Sequence, residues 1–178
     1  MDSGLGAFTQ PQWCFANIHF NLVGPLPTSQ GHLYLFNVID QSTHWPEAIH
    51  METAKSASCT SALLLGWIER FGIPKHITSD RGTTFISPLW ISLENILDIT
   101  LLETTTCNHL PTAALMSHCK DSNWSTQIPS VLLALKTSPK DVLDVSAADI
   151  VYGNPLIILA KSFLTATSSN NLQHLRHN

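Results

Sequence analysis

The spacing of apolar residues first changes from strand-like to helical near residue 55, and this change limits the chain to folds that place a set of strands before a helix. Three short apolar or alternating runs come first, separated by glycine, proline and polar residues as strands commonly are: residues 16–24, 32–40 and 45–51. The third run begins beside Pro46, which favours an edge position. Residues 56–72 then repeat apolar positions at helical spacing and stop at Gly72. We therefore predict three antiparallel strands followed by an amphipathic helix.

The next segments alternate between strand and helix. Residues 76–80 form a short predicted strand that ends at Asp80, and residues 98–105 form another. Between them, residues 87–97 are predicted to be a helix with Ser87 as its N-cap and proline in its first turn. We expect the buried stripe of this helix to comprise Leu89, Leu93, Ile96 and Leu97. The order β-β-β-α-β-α-β predicts an α/β fold in which a mixed sheet carries helices on its faces.

The second half of the chain is less regular. Residues 106–123 are predicted to be loop, because the apolar stretch 113–116 is too short to make a stable helix. A helix begins at Trp124, and Pro129 is expected to mark a restart within it. Residues 145–153 are a short final helix candidate.

The charge of the chain argues against strong binding to nucleic acid. Charged residues make up only 12% of the 178 residues, and the net charge is −4. A protein with this balance has no overall basic field to attract phosphate groups. The basic residues are also dispersed along the sequence, which favours a solvated surface over a binding stripe: Lys55, Arg70, Lys75, Arg81, Lys120, Lys136, Lys140, Lys161 and Arg176.

Four scattered cysteines indicate buried or free thiols in a reducing compartment: Cys14, Cys59, Cys107 and Cys119. The alternative is a small zinc site made by Cys107, His109, His118 and Cys119, although the spacing does not match a standard zinc finger.

The sequence shows neither a secretory leader nor an apolar run long enough to span a bilayer. We expect an intracellular protein that is neither secreted nor inserted in a membrane.

Three separate motifs carry a family resemblance. "WPEA" lies at 45–48, "FGIPKHITSDRGTTF" at 71–85, and "SAADIVYGNP" at 146–155. In this order and spacing they resemble the integrase catalytic core of gypsy-type long-terminal-repeat retrotransposons, which is related to the retroviral integrases. The resemblance gives a core domain over residues 15–160, an irregular lead over 1–14 and a disordered tail over 161–178.

The resemblance implies a ribonuclease H-like fold, with a five-stranded mixed sheet whose first three strands are antiparallel, flanked by helices. Members of the family cut and join DNA with two Mg²⁺ or Mn²⁺ ions held by three acidic side chains. One acid lies on the first strand, one follows the fourth strand, and a glutamate lies on a later helix. Two ions are needed because in-line attack on a phosphodiester builds charge on both the incoming and the leaving oxygen. Carboxylates supply the hard, charged oxygens that Mg²⁺ requires.

Two of the three acids are altered in this chain. Asp80 matches the second acid, so it is the retained catalytic and metal-binding candidate, with its ion weakly bound or lost. Asn21 stands at the first position, and an amide in place of a carboxylate costs several kcal/mol, roughly a hundredfold or more in rate. The segment that carries the glutamate is expected to be deleted near residues 107–113. The nearest acids belong to other elements, namely Glu94, Glu103 and Asp121.

Several of these residues also have ordinary structural interpretations. Asp80 alone is typical of a turn aspartate that accepts hydrogen bonds from the following backbone. Trp45, beside a proline at a strand start, is expected to be a packing residue. His19 and His76 are expected to be strand residues with satisfied rings and not metal ligands.

Three functions remain open for such a chain. In the first, the chain is an integrase core that binds DNA ends but has lost catalysis. In the second, it is a domesticated module that binds nucleic acid or protein without enzymatic activity. In the third, it is a retroelement remnant without function. Whether any enzymatic activity survives is left open. The resemblance implies DNA as the partner, bound weakly given the net charge, with homo-oligomers possible and a nuclear location if the protein functions. It assigns no DNA-binding residues.

Overall fold

A five-stranded mixed sheet forms the centre of the molecule. The structure is a computed structural model and describes residues 14–79, 83–103, 110–139 and 145–156. The strands are β1 (Asn17–Val23), β2 (Tyr34–Asp40), β3 (Pro46–Met51), β4 (His76–Ser79) and β5 (Thr100–Glu103). Their order across the sheet is β3-β2-β1-β4-β5. The strands β1, β2 and β3 pair antiparallel, whereas β4 pairs parallel with β1 and with β5. The predicted mixed sheet, its antiparallel start and the edge position of β3 are confirmed.

Helices cover both faces of this sheet. They are α1 (Ser56–Leu63), α2 (Glu69–Phe71), α3 (Pro88–Leu97), α4 (Leu110–Ser117), α5 (Trp124–Thr137) and α6 (Ala147–Tyr152). A π-helical turn, Leu64–Ile68, joins α1 to α2 without a break. The predicted helix over 56–72 is therefore confirmed in extent, and the π-helical turn was not expected from the sequence.

The first face of the sheet packs against α1 and α3. Alternate residues of β1 and β2 point to this face, together with Ile77 of β4, because side chains alternate along a strand. Ile18 and Phe20 are fully buried there against Trp67 and Trp90. The ring centroids of Phe20 and Trp90 lie 5.1 Å apart. Large aromatic side chains thus supply much of the buried apolar area that holds this layer together.

The second face packs against α4 and α5. Val23 and Leu35 point to this side and contact Leu115 of α4 and Trp124 and Ile128 of α5, in one buried cluster. The Trp124 indole N–H donates to the carbonyl oxygen of Pro27 at 2.7 Å, so α5 is also fixed to the turn between β1 and β2. This second face is the one on which Asn21 lies.

The predicted buried stripe of α3 is wrong in two of its four positions. Leu93 and Leu97 pack against the core, but Leu89 is exposed and Ile96 is 79% exposed. The buried side is instead centred on Trp90, which is 1% exposed, with Leu93 and Leu97 packed beside it. Ser87 lies at the predicted N-cap, yet its hydroxyl makes no capping hydrogen bond.

Two predictions for the second half of the chain are also wrong. Residues 110–117, predicted to be loop, form α4, because Leu115 and Cys119 bury themselves against α5 and tertiary packing supplies what a short segment lacks alone. Pro129 does not restart a helix: α5 runs through it without interruption. The short final helix is confirmed as α6, where Ser146 and Asp149 form a capping box.

Some predictions fall outside the described residues. These are the predicted tail over 161–178 and the predicted lead over 1–14, of which only Cys14 is described. The proposed deletion near 107–113 is not tested, since residues 104–109 also lie outside. In the part of the chain that the structure describes, no helix has the length and apolarity needed to cross a membrane.

Candidate active site

Asn21 lies in the middle of β1 and points to the second face of the sheet. Its neighbours Phe20 and Leu22 belong to the core on the first face, so the alternation of the strand turns Asn21 to the other side. The side chain is partly exposed. Its cross-strand partner on β2 is Asn37. The position at which the family resemblance predicts the first acid is thus held by an amide, and its cross-strand partner is a second amide.

Asn37 is the most unusual polar residue of this face. It is only 1% exposed, and neither its amide nitrogen nor its amide oxygen has a hydrogen-bond partner among the described residues. A buried amide without partners is destabilising, and native proteins contain few of them. The sequence signal was a single asparagine within the apolar run of β2, which we did not recognise as part of the site.

The strand that leads to Asp80 runs beside β1. The described pairing of β1 with β4 ends at Phe20 and Ser79, one residue before Asn21 on β1. Asp80 itself lies outside the described residues. One residue pair earlier, His19 is opposite Thr78, whose hydroxyl accepts a hydrogen bond from the Gln41 side chain at 3.0 Å.

The other predicted acids are distributed over separate parts of the fold. Glu94 belongs to α3, which packs on the first face, so the sheet separates it from Asn21. Asp121 is exposed in the turn between α4 and α5. Glu103 ends β5, and its side chain is not among those described. The expectation that Glu94 belongs to the earlier helix, Glu103 to the strand and Asp121 to a loop is confirmed.

The described side chains do not fit a pair of Mg²⁺ ions. Around Asn21 they provide two amides, and Mg²⁺ sites in proteins depend on carboxylates for charge and geometry. Among the residues that the structure describes, no group of three or more His, Cys, Asp or Glu side chains is arranged to hold a metal. A reaction step that passes through two bound ions therefore has no support in the described part of the site.

Trp45 and the two histidines lie where strand residues were expected. Trp45 is 3% exposed in the core of the first face, so its predicted packing role is confirmed. His19 is buried on β1, whereas His76 is exposed at the start of β4. His76 is opposite Asn17 on β1, so the two histidines lie two residue pairs apart along neighbouring strands.

A buried ion-pair cluster around Glu47 was missed by the sequence reasoning. One carboxylate oxygen of Glu47 accepts from the Trp45 indole N–H at 2.9 Å and from Lys136 Nζ at 2.8 Å, and lies 3.2 Å from an Arg70 nitrogen. Lys136 also lies over the Trp45 ring, 4.4 Å from its centroid. Lys136 is therefore engaged with a buried carboxylate, whereas Arg70, whose side chain is 51% exposed, contacts the same oxygen from the surface. The glutamate of "WPEA" was the available signal.

The cysteines support the interpretation as ordinary thiols. Among the described residues, Cys14, Cys59 and Cys119 are thiols that belong to no disulfide bond, and the Cys119 thiol donates to the carbonyl oxygen of Leu115 at 3.2 Å. Burial raises the pKa of the Cys59 thiol to about 11 and raises that of Cys119. A cysteine binds metal as the thiolate, and burial that raises the thiol pKa disfavours the thiolate. Metal binding by Cys59 and Cys119 is therefore disfavoured. Cys107 and His109 of the alternative zinc site lie outside the described residues.

Comparison with known proteins adds independent information. Residues 19–108, about half of the chain, match the family described as "Integrase core domain". The Gag-Pol polyprotein of Koala retrovirus is 26% identical over 160 residues, which is 81% of this chain and 9% of that polyprotein. The chain thus spans about a tenth of the length of such relatives.

Solved structures show the same fold. The HTLV-2 integrase catalytic core domain in complex with magnesium superposes with a TM-score of 0.61 at 16% identity, covering 78% of this chain and 97% of that one. The catalytic core domain of BIV integrase gives 0.57 at 13% identity, covering 78% and 95%. At these identities the likeness establishes the ribonuclease H-like fold.

Proposed function

This chain belongs to the integrase core domain family, and we propose that it is a retroelement integrase core that contacts DNA but no longer joins it. The observation that carries the proposal is the amide pair on the second face: Asn21 takes the place of the first acid, and its cross-strand partner Asn37 brings no charge. Two neutral amides cannot replace the charge that a carboxylate gives to a dication.

The origin we propose is a gypsy-type retrotransposon. The motifs "WPEA" and "SAADIVYGNP" support it, while the matched polyproteins are retroviral. We also propose weak DNA binding, a nuclear location and self-association. The HTLV-2 core domain was solved in trimeric and dimeric forms, which supports the last of these. The engagement of Lys136 with the buried Glu47 supports weak DNA binding, because it withdraws one of the nine basic side chains from phosphate contacts.

A strand-joining assay tests the loss of catalysis. Purified protein is incubated with short duplex DNA ends in Mg²⁺ or Mn²⁺, and joined products are quantified. We expect none above the level of a matched Asp80→Asn sample, and none after Asn21→Asp alone, since one restored carboxylate still leaves the helix glutamate missing. Joining by the unmodified chain that Asp80→Asn abolishes would refute the proposal.

The alternative is a domesticated module that binds nucleic acid or protein without enzymatic activity. Duplex affinity measured at several salt concentrations tests the nucleic-acid form. A binding module loses affinity steeply as salt increases. A response that is flat with salt would remove this form of the alternative.

A non-functional remnant is distinguished by its unfolding. A domain that lost part of a helix without compensation exposes apolar surface and melts over a broad range. The closely packed cores on both faces lead us to expect a single sharp transition by circular dichroism. Broad, probe-dependent melting would instead support the remnant.

A further inference from the structure

Two histidine rings lie next to each other on the second face of the sheet. His50 is one residue before the end of β3, and His32 lies in the segment between β1 and β2. The centroids of the two rings are 5.4 Å apart. Both residues are partly buried, so the rings are neither dispersed in solvent nor sealed in the core. This pair has no part in the candidate site around Asn21.

Backbone hydrogen bonds fix the position of both histidines. Ser29 and His32 exchange two of these bonds, 3.1 and 2.9 Å long, across two intervening residues that both have positive φ. This pattern is that of a tight two-residue hairpin turn. The amide of Leu33 then donates to the carbonyl oxygen of Met51 at 3.0 Å. The residues that follow the two histidines are thus bonded to each other, which keeps the rings together.

Helix α5 supports the pair from one side. The ring centroid of Trp124 lies 5.4 Å from that of His50, at an interplanar angle of 70°. The hydroxyl oxygens of Ser29 and Ser125 are 2.7 Å apart, and the Ser125 amide donates to the Ser29 hydroxyl at 3.2 Å. The turn that carries His32 is therefore held to the start of α5. A ligand of these rings meets a preorganised site, which lowers the entropy cost of binding.

Each ring has one buried nitrogen without a hydrogen-bond partner among the described residues. These atoms are Nδ1 of His32 and Nε2 of His50. Buried polar atoms of native proteins are usually paired, so two unpaired atoms on neighbouring rings need an explanation. A neutral imidazole offers a lone pair from its unprotonated nitrogen, and it is the commonest metal ligand in proteins. One ion between the rings would satisfy both.

The separation of the rings agrees with binding to a single ion. A Zn²⁺ ion ~2.0–2.1 Å from one nitrogen of each ring lies about 3.2 Å from each ring centre, so tetrahedral geometry places the two centres about 5.2 Å apart. The observed separation is 5.4 Å. Imidazole nitrogen suits Zn²⁺, Cu²⁺ and Ni²⁺, whereas Mg²⁺ prefers oxygen ligands. The pair therefore selects a different class of ion from the one expected at the catalytic acids.

We propose that His32 and His50 together bind one divalent transition-metal ion of the Zn²⁺ type. In the part of the chain that the structure describes, no third His, Cys, Asp or Glu side chain joins them in a metal-holding group, so water completes the coordination. With two protein ligands the ion is held more weakly than in a four-ligand structural site. The site is separate from the amide pair, because Asn37 is opposite Ala48 on β3 and not opposite His50. The bound ion links the turn before β2 to the end of β3.

Isothermal titration calorimetry with Zn²⁺ on the full chain at neutral pH tests the proposal. We expect saturation at one ion per chain, with no saturable heat when Mg²⁺ replaces Zn²⁺. His32→Gln and His50→Gln should each weaken binding about tenfold or more, since even groups that only orient a metal ligand have effects of that size. The matched control is His76→Gln, at an exposed histidine on β4, with binding unchanged within about twofold.

Three calorimetric results overturn the proposal. The first is heat that does not saturate, which indicates adventitious binding only. The second is equal weakening by His76→Gln, and the third is a double variant of His32 and His50 that keeps the original affinity. Circular dichroism of each variant establishes that it is folded before its affinity is compared.

NMR of the histidine ring nitrogens tests the site in the unmodified chain and so does not depend on the folding of a variant. Long-range proton–nitrogen spectra distinguish Nδ1 from Nε2 in each ring. Zn²⁺ should shift Nδ1 of His32 and Nε2 of His50 together, at the same ion concentration, while the nitrogens of His76 stay unchanged. A shift at one ring of the pair without the other, or at other histidines alone, contradicts a shared ion.

Discussion

Gly66 and Ile49 lie so close that a Cβ atom placed on the glycine would be 2.7 Å from Ile49 Cγ1. This close approach holds the π-helical turn against β3. Gly66→Ala raises helix propensity by about 1 kcal/mol, whereas overpacking of this kind costs about 1–3 kcal/mol. We therefore expect a net loss of stability in urea unfolding. In an Ile49→Ala background the clash is absent, and the same substitution should become neutral or stabilising; an unchanged penalty there would show that the contact is not its cause.

Replacing Asn37 with leucine should stabilise the fold. The substitution keeps the side-chain size and removes a buried amide whose two polar atoms have no partner among the described residues. Relief of such a group is worth about 1–3 kcal/mol. The control is Asn95→Leu on the exposed side of α3, for which we expect a change within about 0.5 kcal/mol. Destabilisation by Asn37→Leu would show that the amide is paired in solution.

The two cations beside Glu47 should differ in their contribution to stability. The Lys136 side chain is 13% exposed and that of Glu47 is 7% exposed, so Lys136→Ala leaves a buried carboxylate without its main partner and costs about 3 kcal/mol. Arg70 contacts the same oxygen but is 51% exposed, and Arg70→Ala should cost less than ~1 kcal/mol. Urea unfolding of both variants measures the difference. Equal losses would contradict the role given to burial.

His50 should make the fold less stable in mild acid. Burial, and then the neighbouring His32, lower the pKa of His50 below its usual 6.5, so the folded state favours the neutral ring. A group whose pKa is lower in the folded state gives its full stability above the unfolded pKa, and that stability is lost as the pH falls below 6.5. Unfolding free energies at pH 8 and pH 5 test this, with His50→Gln expected to flatten the dependence. An equally steep dependence in that variant would assign the effect to another group.

The sheet could be predicted from the sequence because its pattern is local. The alternation through Ile18 and Phe20, and the switch to helical spacing after residue 55, depend on neighbours along the chain. The edge position of β3 followed from Pro46 in the same way. The motif around Asp80 identified the family without any knowledge of tertiary contacts.

The errors came from contacts between distant residues. The burial of α4 depends on Leu115 meeting α5, and the exposed Ile96 depends on Trp90 filling the space beneath α3. Neither the burial of α4 nor the exposure of Ile96 can be inferred from the spacing of apolar residues along the chain. At the candidate site, Asn21 was found by its place in a motif, whereas Asn37 was missed because only strand register places the two amides side by side. Lys136 and Glu47 are 89 residues apart in the sequence, so their ion pair could not be predicted from local patterns either.

The π-helical turn at Leu64–Ile68 has a consequence for how this segment tolerates changes in length. Such a turn holds one residue more than an α-helical turn while the helix on either side continues in its own phase. Removing Leu65 should therefore let the segment close into a regular α-helix, with Leu63 before it and Trp67 after it still directed into the core. The chain between β3 and β4 can thus be shortened by one residue at this point, and we expect such a deletion to be accepted here when it is rejected elsewhere in the helix.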